Sequence, residues 1–184
     1  MSAVTQWPPK TRDTGAVIAA YERVLGWPLI VDATLVSAER ATAELRGNTG
    51  AELSTTCSAF DAVTVSYPVG VDMLVLLGRQ DLDLVPCLTD GHDQAVFLVR
   101  AGSGEALTAM AGVSVDSGPG GRLVLPPSPR RRWDTPPWSA RAEEPSALPA
   151  GTEIEPCLRA ALRLFGGSSP RPRRISASAA DQAT

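Results

Sequence analysis

Hydrophobic and polar residues along this chain follow two different periods, which separates predicted helices from predicted strands. Helical spacing of apolar residues, or a helix-start signal before them, is found over residues 14–25, 37–46, 69–77, 103–110 and 152–165. Short β-like runs are found over residues 27–31, 60–66, 84–88 and 95–99. This mixture predicts an α/β (α+β) fold, with a single domain in which a mixed β-sheet is flanked by helices.

The stretch Gly112 to Trp133 combines three kinds of signal. Two β-like runs, 113–116 and 122–125, are separated by Gly118, Pro119, Gly120 and Gly121, which predicts a hairpin turn or a substrate-facing loop. Pro126 and Pro127 end the second run. Arg130, Arg131, Arg132 and Trp133 then follow, as either a phosphate-gripping and base-stacking cluster or a solvated basic exit whose tryptophan closes the core.

Segments without a pattern set the expected domain limits. Residues 1–13 are polar and proline-bearing and are expected to be a flexible N-terminus, and residues 48–58 and 140–151 have no predicted regular structure. Residues 167–184 contain Ser, Pro, Arg and Ala with almost nothing to bury, so a disordered tail is expected there. The predicted domain spans residues 14–166.

Composition narrows the function classes. The 184 residues are 43% hydrophobic with a formal net charge of -3, so any nucleic-acid binding must be local rather than driven by a global positive field. The three cysteines, Cys57, Cys87 and Cys157, are widely spaced, which argues against a disulfide framework or a zinc site. The most apolar run, 69–77, contains Asp72 and is too short to span a membrane. A cytoplasmic protein with no membrane partner is expected.

Four landmarks occur in an order that resembles one family. They are a helix leading into Gly26-Trp27-Pro28-Leu29, a strand beginning Phe60-Asp61-Ala62-Val63, a turn and strand over 92–99, and Gly120-Gly121-Arg122-Leu123-Val124-Leu125-Pro126-Pro127-Ser128. This order resembles the bifunctional DNA primase/polymerase (prim-pol) N-terminal domain of the archaeo-eukaryotic primase superfamily, in its short actinobacterial form. The resemblance implies a nucleotide-joining ancestry for residues 14–165.

The resemblance also implies a metal-binding acidic pair, and this chain departs from it. In the family, two Asp residues two apart on one strand, with a third on another strand, hold divalent metals. The corresponding positions here are Thr64 and Ser66, whose hydroxyls are poor ligands for hard cations. The third acid is either Asp116, if one residue is missing from the turn, or is replaced by Val115, and Asp61 is expected on the opposite strand face. The catalytic site is therefore expected to be degenerate, with no cofactor, and Mg or Mn would be required only if the chain were active.

The remaining candidates concern nucleotide contacts. The resemblance implies a phosphate-contacting histidine near Gln94, and His92, the only histidine, lies two residues earlier, where an exposed turn residue is the competing interpretation. We therefore expect a catalytically degenerate primase–polymerase-like domain that acts as an accessory or regulatory module and binds single-stranded nucleic acid or nucleotide. The alternatives are a protein-interaction or structural module that keeps only the scaffold, and an active metal-dependent primase/polymerase that uses Asp116 and Asp61.

Overall fold

The computed structural model describes residues 7–10, 12–80, 82, 85–91 and 93–165. Its helices are α1 (Thr14–Arg23), α2 (Ala38–Gly47), α3 (Tyr67–Gly78), α4 (Gly151–Phe165) and a short 3-10 helix (Glu105–Ala109). Its strands are β1 (Leu29–Val31), β2 (Thr34–Val36), β3 (Leu53–Ser66), β4 (Cys87–Asp90), β5 (Gln94–Arg100), β6 (Ser114–Val124) and β7 (Arg131–Thr135). The predicted class, α/β with one sheet flanked by helices, is confirmed.

The strands form a 7-stranded sheet. Six of them follow the order β2-β1-β3-β5-β4-β7, and β6 pairs with β3 outside this order. Every pairing among the described strands is antiparallel, so the sheet is antiparallel rather than mixed. β3 and β4, which are joined through α3, run in the same direction, but β5 lies between them. A β–α–β connection in the sequence therefore does not produce a parallel pair here.

Alternating residues of β3 face two separate cores. Phe60 and Ala62 belong to the core that includes Ile18 of α1 and Ala41 of α2. Val63 and Val65 belong to the core under α3 and α4. Each sheet face is thus covered by one helical layer, because the strand buries both of its alternating sets. The alternation expected over 60–66 is confirmed.

The first correction concerns residues 48–58, where no regular structure was expected. β3 already begins at Leu53, and the polar residues Ser54 and Thr55 are buried within it. Ser54 and Thr55 pair with Val124 and Leu123 of β6, and Ser54 also pairs with Ile30 of β1, so this segment has a strand partner on each edge for its backbone groups. A run of small polar residues looks like a loop by composition, but a long strand paired on its neighbouring edges accepts it.

The second correction concerns the predicted hairpin in the 112–133 stretch. Both β-like runs lie in one strand, β6, and both pair with β3, through Val115 with Val63 and Leu123 with Thr55. Between these two pairings, the glycine-rich part of β6 departs from regular pairing with β3. Its backbone approaches itself closely at Gly121, where a side-chain Cβ would lie 2.8 Å from the Ser117 backbone nitrogen. Gly121 is therefore required for close backbone approach inside a strand rather than for a hairpin turn.

Three local predictions are also corrected. The helix expected over 103–110 is only a 3-10 helix, and Ser103 instead accepts a hydrogen bond from the Gly151 N–H at 2.9 Å. Asp13, not Thr14, caps α1 by accepting from the Ala16 N–H. The strand expected over 84–88 begins at Cys87 in the described residues, and residue 84 lies outside them.

Candidate ligand-binding face of the sheet

A row of polar residues crosses the sheet at the end of β3. Ser66 pairs with Gln94 of β5, Gln94 with Asp90 of β4, and Asp90 with Arg131 of β7. Directly paired residues point to the same face, so all of them lie on the face that carries Phe60 and Ala62. Ser66 and Gln94 are exposed, whereas Asp90 and Arg131 are half-buried. The helical layer of α1 and α2 leaves this end of the face open.

A second row adds the other candidate residues. Thr64 pairs with Ser114 of β6, and Asp116 pairs with Ala62, which places Asp116 diagonally next to Thr64. Asp116 and Ser114 are exposed, and Thr64 is half-buried. Thr64, Ser66 and Asp116, which the resemblance made candidates, therefore share one face. Their chemistry is that of hydroxyls beside a single carboxylate.

The first two arginines of the run Arg130–Arg132 form ion pairs with aspartates. Arg131 lies 3.3 Å from Asp90, and Arg130 lies 2.5 Å from Asp93 and 3.6 Å from Asp90. The hydrogen bond from Arg130 to Asp93 is the main reason that the pKa of this guanidinium is raised above its ordinary value. The run of positive charge in the sequence is thus largely balanced by two aspartates that the strands bring to it.

Arg132 and Trp133 do not join Arg130 and Arg131 in these ion pairs. Arg132 pairs with Thr89, so it projects from the opposite face of the sheet. Trp133 is half-buried against the α1/α2 core, and its Nε1 donates a hydrogen bond to the Tyr21 hydroxyl at 2.7 Å. The interpretation in which this tryptophan closes the core agrees with these contacts.

His92 lies outside the described residues. Gln94, two residues later, is the first residue of β5 and is exposed in the polar row. The backbone next to this turn is hydrogen-bonded to the first residue of α3, because the Tyr67 N–H donates to the Asp93 carbonyl at 3.0 Å. The turn therefore joins the N-terminus of α3 to the polar end of the face.

Asp61 is buried on the opposite side of the sheet from the polar rows, where it is hydrogen-bonded to Gly104. Its side chain is 1% exposed, and its Oδ2 accepts a hydrogen bond from the Gly104 N–H at 2.7 Å. It lies next to Val63 and Val65 on the α3/α4 side, whereas Asp116 lies on the other side. Asp61 and Asp116 are therefore not placed to hold a metal ion together. Within the described residues, no three His, Cys, Asp or Glu side chains cluster as a metal site.

The Gly-Gly to Pro-Pro-Ser element has a structural role. Ser128 is 2% exposed, accepts a hydrogen bond from the Leu53 N–H at 2.8 Å and donates one to the Leu53 carbonyl at 3.2 Å. The Leu125 N–H also donates to the Leu53 carbonyl. The element thus fixes the start of β3, the strand that carries Thr64 and Ser66, and it contacts no open surface through Ser128.

Sequence reasoning missed a basic concavity beside the N-terminus of α1. It has a volume of about 480 Å³ and is lined by Lys10, Arg12, Asp13, Thr14 and Arg46. No ion pair links its three cations to another described residue. It belongs to the α1/α2 layer, on the same side of the sheet as the polar rows. The only signal in the sequence is the short spacing of Lys10 and Arg12, which carries little information without the position of Arg46.

The three cysteines are all buried and unbonded to one another. Burial raises the pKa of Cys57 from 9.0 to about 12, with further contributions from Asp116 and Asp61. Burial likewise raises the pKa of Cys87 and of Cys157. These are the positions of small buried hydrophobic residues with inert thiols.

No family model, curated protein or solved structure matches the chain. Among the described residues, no helix has the length and hydropathy needed to cross a membrane.

Proposed function

We propose that this protein is a catalytically degenerate primase–polymerase-like domain that binds single-stranded nucleic acid or a nucleotide as an accessory module. The observation that carries the proposal is the shared open face of Thr64, Ser66, Gln94 and Asp116. It is an exposed surface at the end of a central strand, and its hydroxyl and amide groups can bind sugar, phosphate and base edges by hydrogen bonds.

The chemistry of this face favours binding over catalysis. A two-metal mechanism requires several carboxylates around the ions, and here Asp116 is accompanied by Thr64 and Ser66. Asp61 is engaged with the Gly104 N–H on the other side of the sheet. An active nucleotidyltransferase would need ligands that the described part of this face does not supply.

Electrostatic attraction in this proposal comes mainly from Lys10, Arg12 and Arg46 rather than from the arginine run. Arg130 and Arg131 are paired with Asp90 and Asp93, so a phosphate must compete with those carboxylates for them. Binding is therefore weak and salt-sensitive, since the concavity contributes only three cations and the net charge of the chain is -3.

The test is fluorescence anisotropy of labelled single-stranded DNA and RNA at low and moderate salt. The proposal predicts binding that weakens with salt, that falls in Lys10→Ala/Arg46→Ala, and that is nearly unchanged in Arg132→Ala, because Arg132 lies on the opposite face. Absence of binding to either strand type at low salt would refute it. That result would favour the second candidate, a protein-interaction module, which is supported by the exposed apolar residues of α3 and α4.

A further inference from the structure

Helix α3 is apolar on almost every side, although only one side is covered. Val69, Met73 and Leu77 are buried in the core between α3, α4 and the sheet. Val71 and Val75, one turn apart, are 40% and 51% exposed. A helix that is hydrophobic all round is typical of a buried position, and a surface helix normally turns charged residues outward. The outer side of α3 therefore has the composition of an interface.

The outer side carries its charged residues in a particular arrangement. At about 100° per residue, Val71, Val75 and Gly78 point away from the core together. Asp72 and Arg79 flank them along one side, two turns apart, and Arg79 still has helical backbone angles as the C-cap. Neither Asp72 nor Arg79 forms an ion pair with another described residue.

This arrangement is complementary to itself. When two copies of α3 pack antiparallel about a two-fold axis between residues 75 and 76, Asp72 of one copy lies opposite Arg79 of the other, and the second pair follows by symmetry. The same operation brings the two Val75 side chains together at the axis. It also sets Val71 near Gly78 of the other copy, where the missing side chain allows close approach.

We propose that the outer face of α3 binds a second copy of this chain and forms a symmetric dimer. The occupant follows from the charges, because a pair of opposite charges placed symmetrically about the centre of an apolar stripe satisfies itself in a two-fold dimer. α4, which packs against α3, ends in the exposed Leu164 and Phe165 and adds apolar surface on the same layer. One helix face per copy makes a small interface, so the dimer dissociates on dilution. The inference is independent of the ligand of the sheet face.

The test is sedimentation velocity of the full chain over a concentration series. Wild-type protein is expected to shift from monomer to dimer as concentration rises. Val75→Lys sets two lysines against each other at the axis, and Asp72→Arg sets an arginine against Arg79 of the other copy. Each is expected to weaken association by about tenfold or more. Leu35→Lys, on exposed Leu35 of β2, is the matched control and is expected to leave the association unchanged.

The double variant Asp72→Arg/Arg79→Asp separates a specific contact from general loss of stability. It reverses both charges, so the pairing across the two-fold axis is restored and the dimer is expected to return to within about threefold of wild type. A wild-type chain that remains monomeric at all concentrations would overturn the proposal and leave the face to a different protein. A dimer that Val75→Lys leaves intact, or a double variant that stays as weak as Asp72→Arg, would overturn it as well.

Discussion

The indole Nε1 of Trp133 donates a hydrogen bond to the hydroxyl of Tyr21 at 2.7 Å, which joins strand β7 to helix α1. Tyr21 is fully buried and also stacks on Trp27, with ring centroids 5.9 Å apart. Burial raises the pKa of Tyr21 above its ordinary 10.0, so the hydroxyl stays protonated, and its oxygen accepts the hydrogen bond from Trp133. Trp133 is therefore part of the core.

The first prediction concerns this pair. Trp133→Phe leaves the buried Tyr21 hydroxyl without its donor, so the free energy of unfolding is expected to fall by about 1–3 kcal/mol in urea denaturation. Trp133→Phe/Tyr21→Phe removes both polar groups and is expected to cost less than the sum of the single changes. If Trp133→Phe instead left stability unchanged and weakened single-stranded DNA binding about tenfold, Trp133 would be a stacking platform and this assignment would be wrong.

The second prediction concerns the contact between α3 and the sheet. A Cβ at Gly70 would lie 2.2 Å from the Ala95 Cβ, so Gly70→Ala must push α3 away from β5. We expect a loss of about 1–3 kcal/mol in the free energy of unfolding, as for an overpacked core. Gly47→Ala is the matched control, because nothing lies within 4 Å of its Cβ position. Equal thermal stability of the two variants would show that α3 does not pack on β5 as described.

The third prediction tests the resemblance to primase–polymerases directly. Thr64→Asp/Ser66→Asp would put three carboxylates on one face with Asp116, and this triad is expected to bind Mn²⁺ in isothermal titration calorimetry where the wild type does not. Val63→Asp/Val65→Asp is not a usable control, since both valines are buried. Thr34→Asp/Leu35→Asp on exposed β2 carries the same charge and should bind no metal. Failure of the restored triad to bind would mean that the face is not a former metal site.

The fourth prediction concerns alkaline pH. The thiol of Cys57 has a pKa of about 12 in the folded protein against 9.0 when exposed, so the folded state holds a proton that the unfolded state loses. This stabilisation is complete below pH 9 and is lost progressively as pH rises through 9 toward 12. Urea midpoints are expected to fall above pH 9, less steeply in Cys57→Ala. Ionisation of the thiols in the folded protein near pH 9 would contradict the burial.

The sequence predicted the elements that have a strong period. The alternation of Phe60, Ala62, Val63 and Val65 predicted a strand that is part of β3, and the helix expected from Ser37 is α2. The prediction from the sequence failed where the identity of the neighbouring strand decides the structure. Ser54 and Thr55 are loop-like in composition and form strand because β6, and for Ser54 also β1, pairs with them. The glycine-rich segment resembles a hairpin in the sequence, but both of its flanking runs pair with β3.

The candidate site was predictable only in part, for a similar reason. Periodicity put Thr64 and Ser66 on one strand face, and counting put Gln94 nearby, but the register of three strands is needed to align them in a row. The charge of the arginine run could not be judged from the sequence, because its partners Asp90 and Asp93 are about 40 residues away along the chain. Long-range pairing therefore decides whether a charged run is available for a ligand.

The most direct test of the proposed binding face is a charge-matched comparison in fluorescence anisotropy with labelled single-stranded DNA and RNA at low salt. Ser66→Glu/Gln94→Glu adds two negative charges on the proposed face, and Thr34→Glu/Leu35→Glu adds the same two on exposed β2. We expect the first variant to bind about tenfold or more weakly and the second to bind within about twofold of wild type, because repulsion acts where the ligand lies. Equal loss in both variants, or a wild-type chain that binds neither strand type, would contradict it.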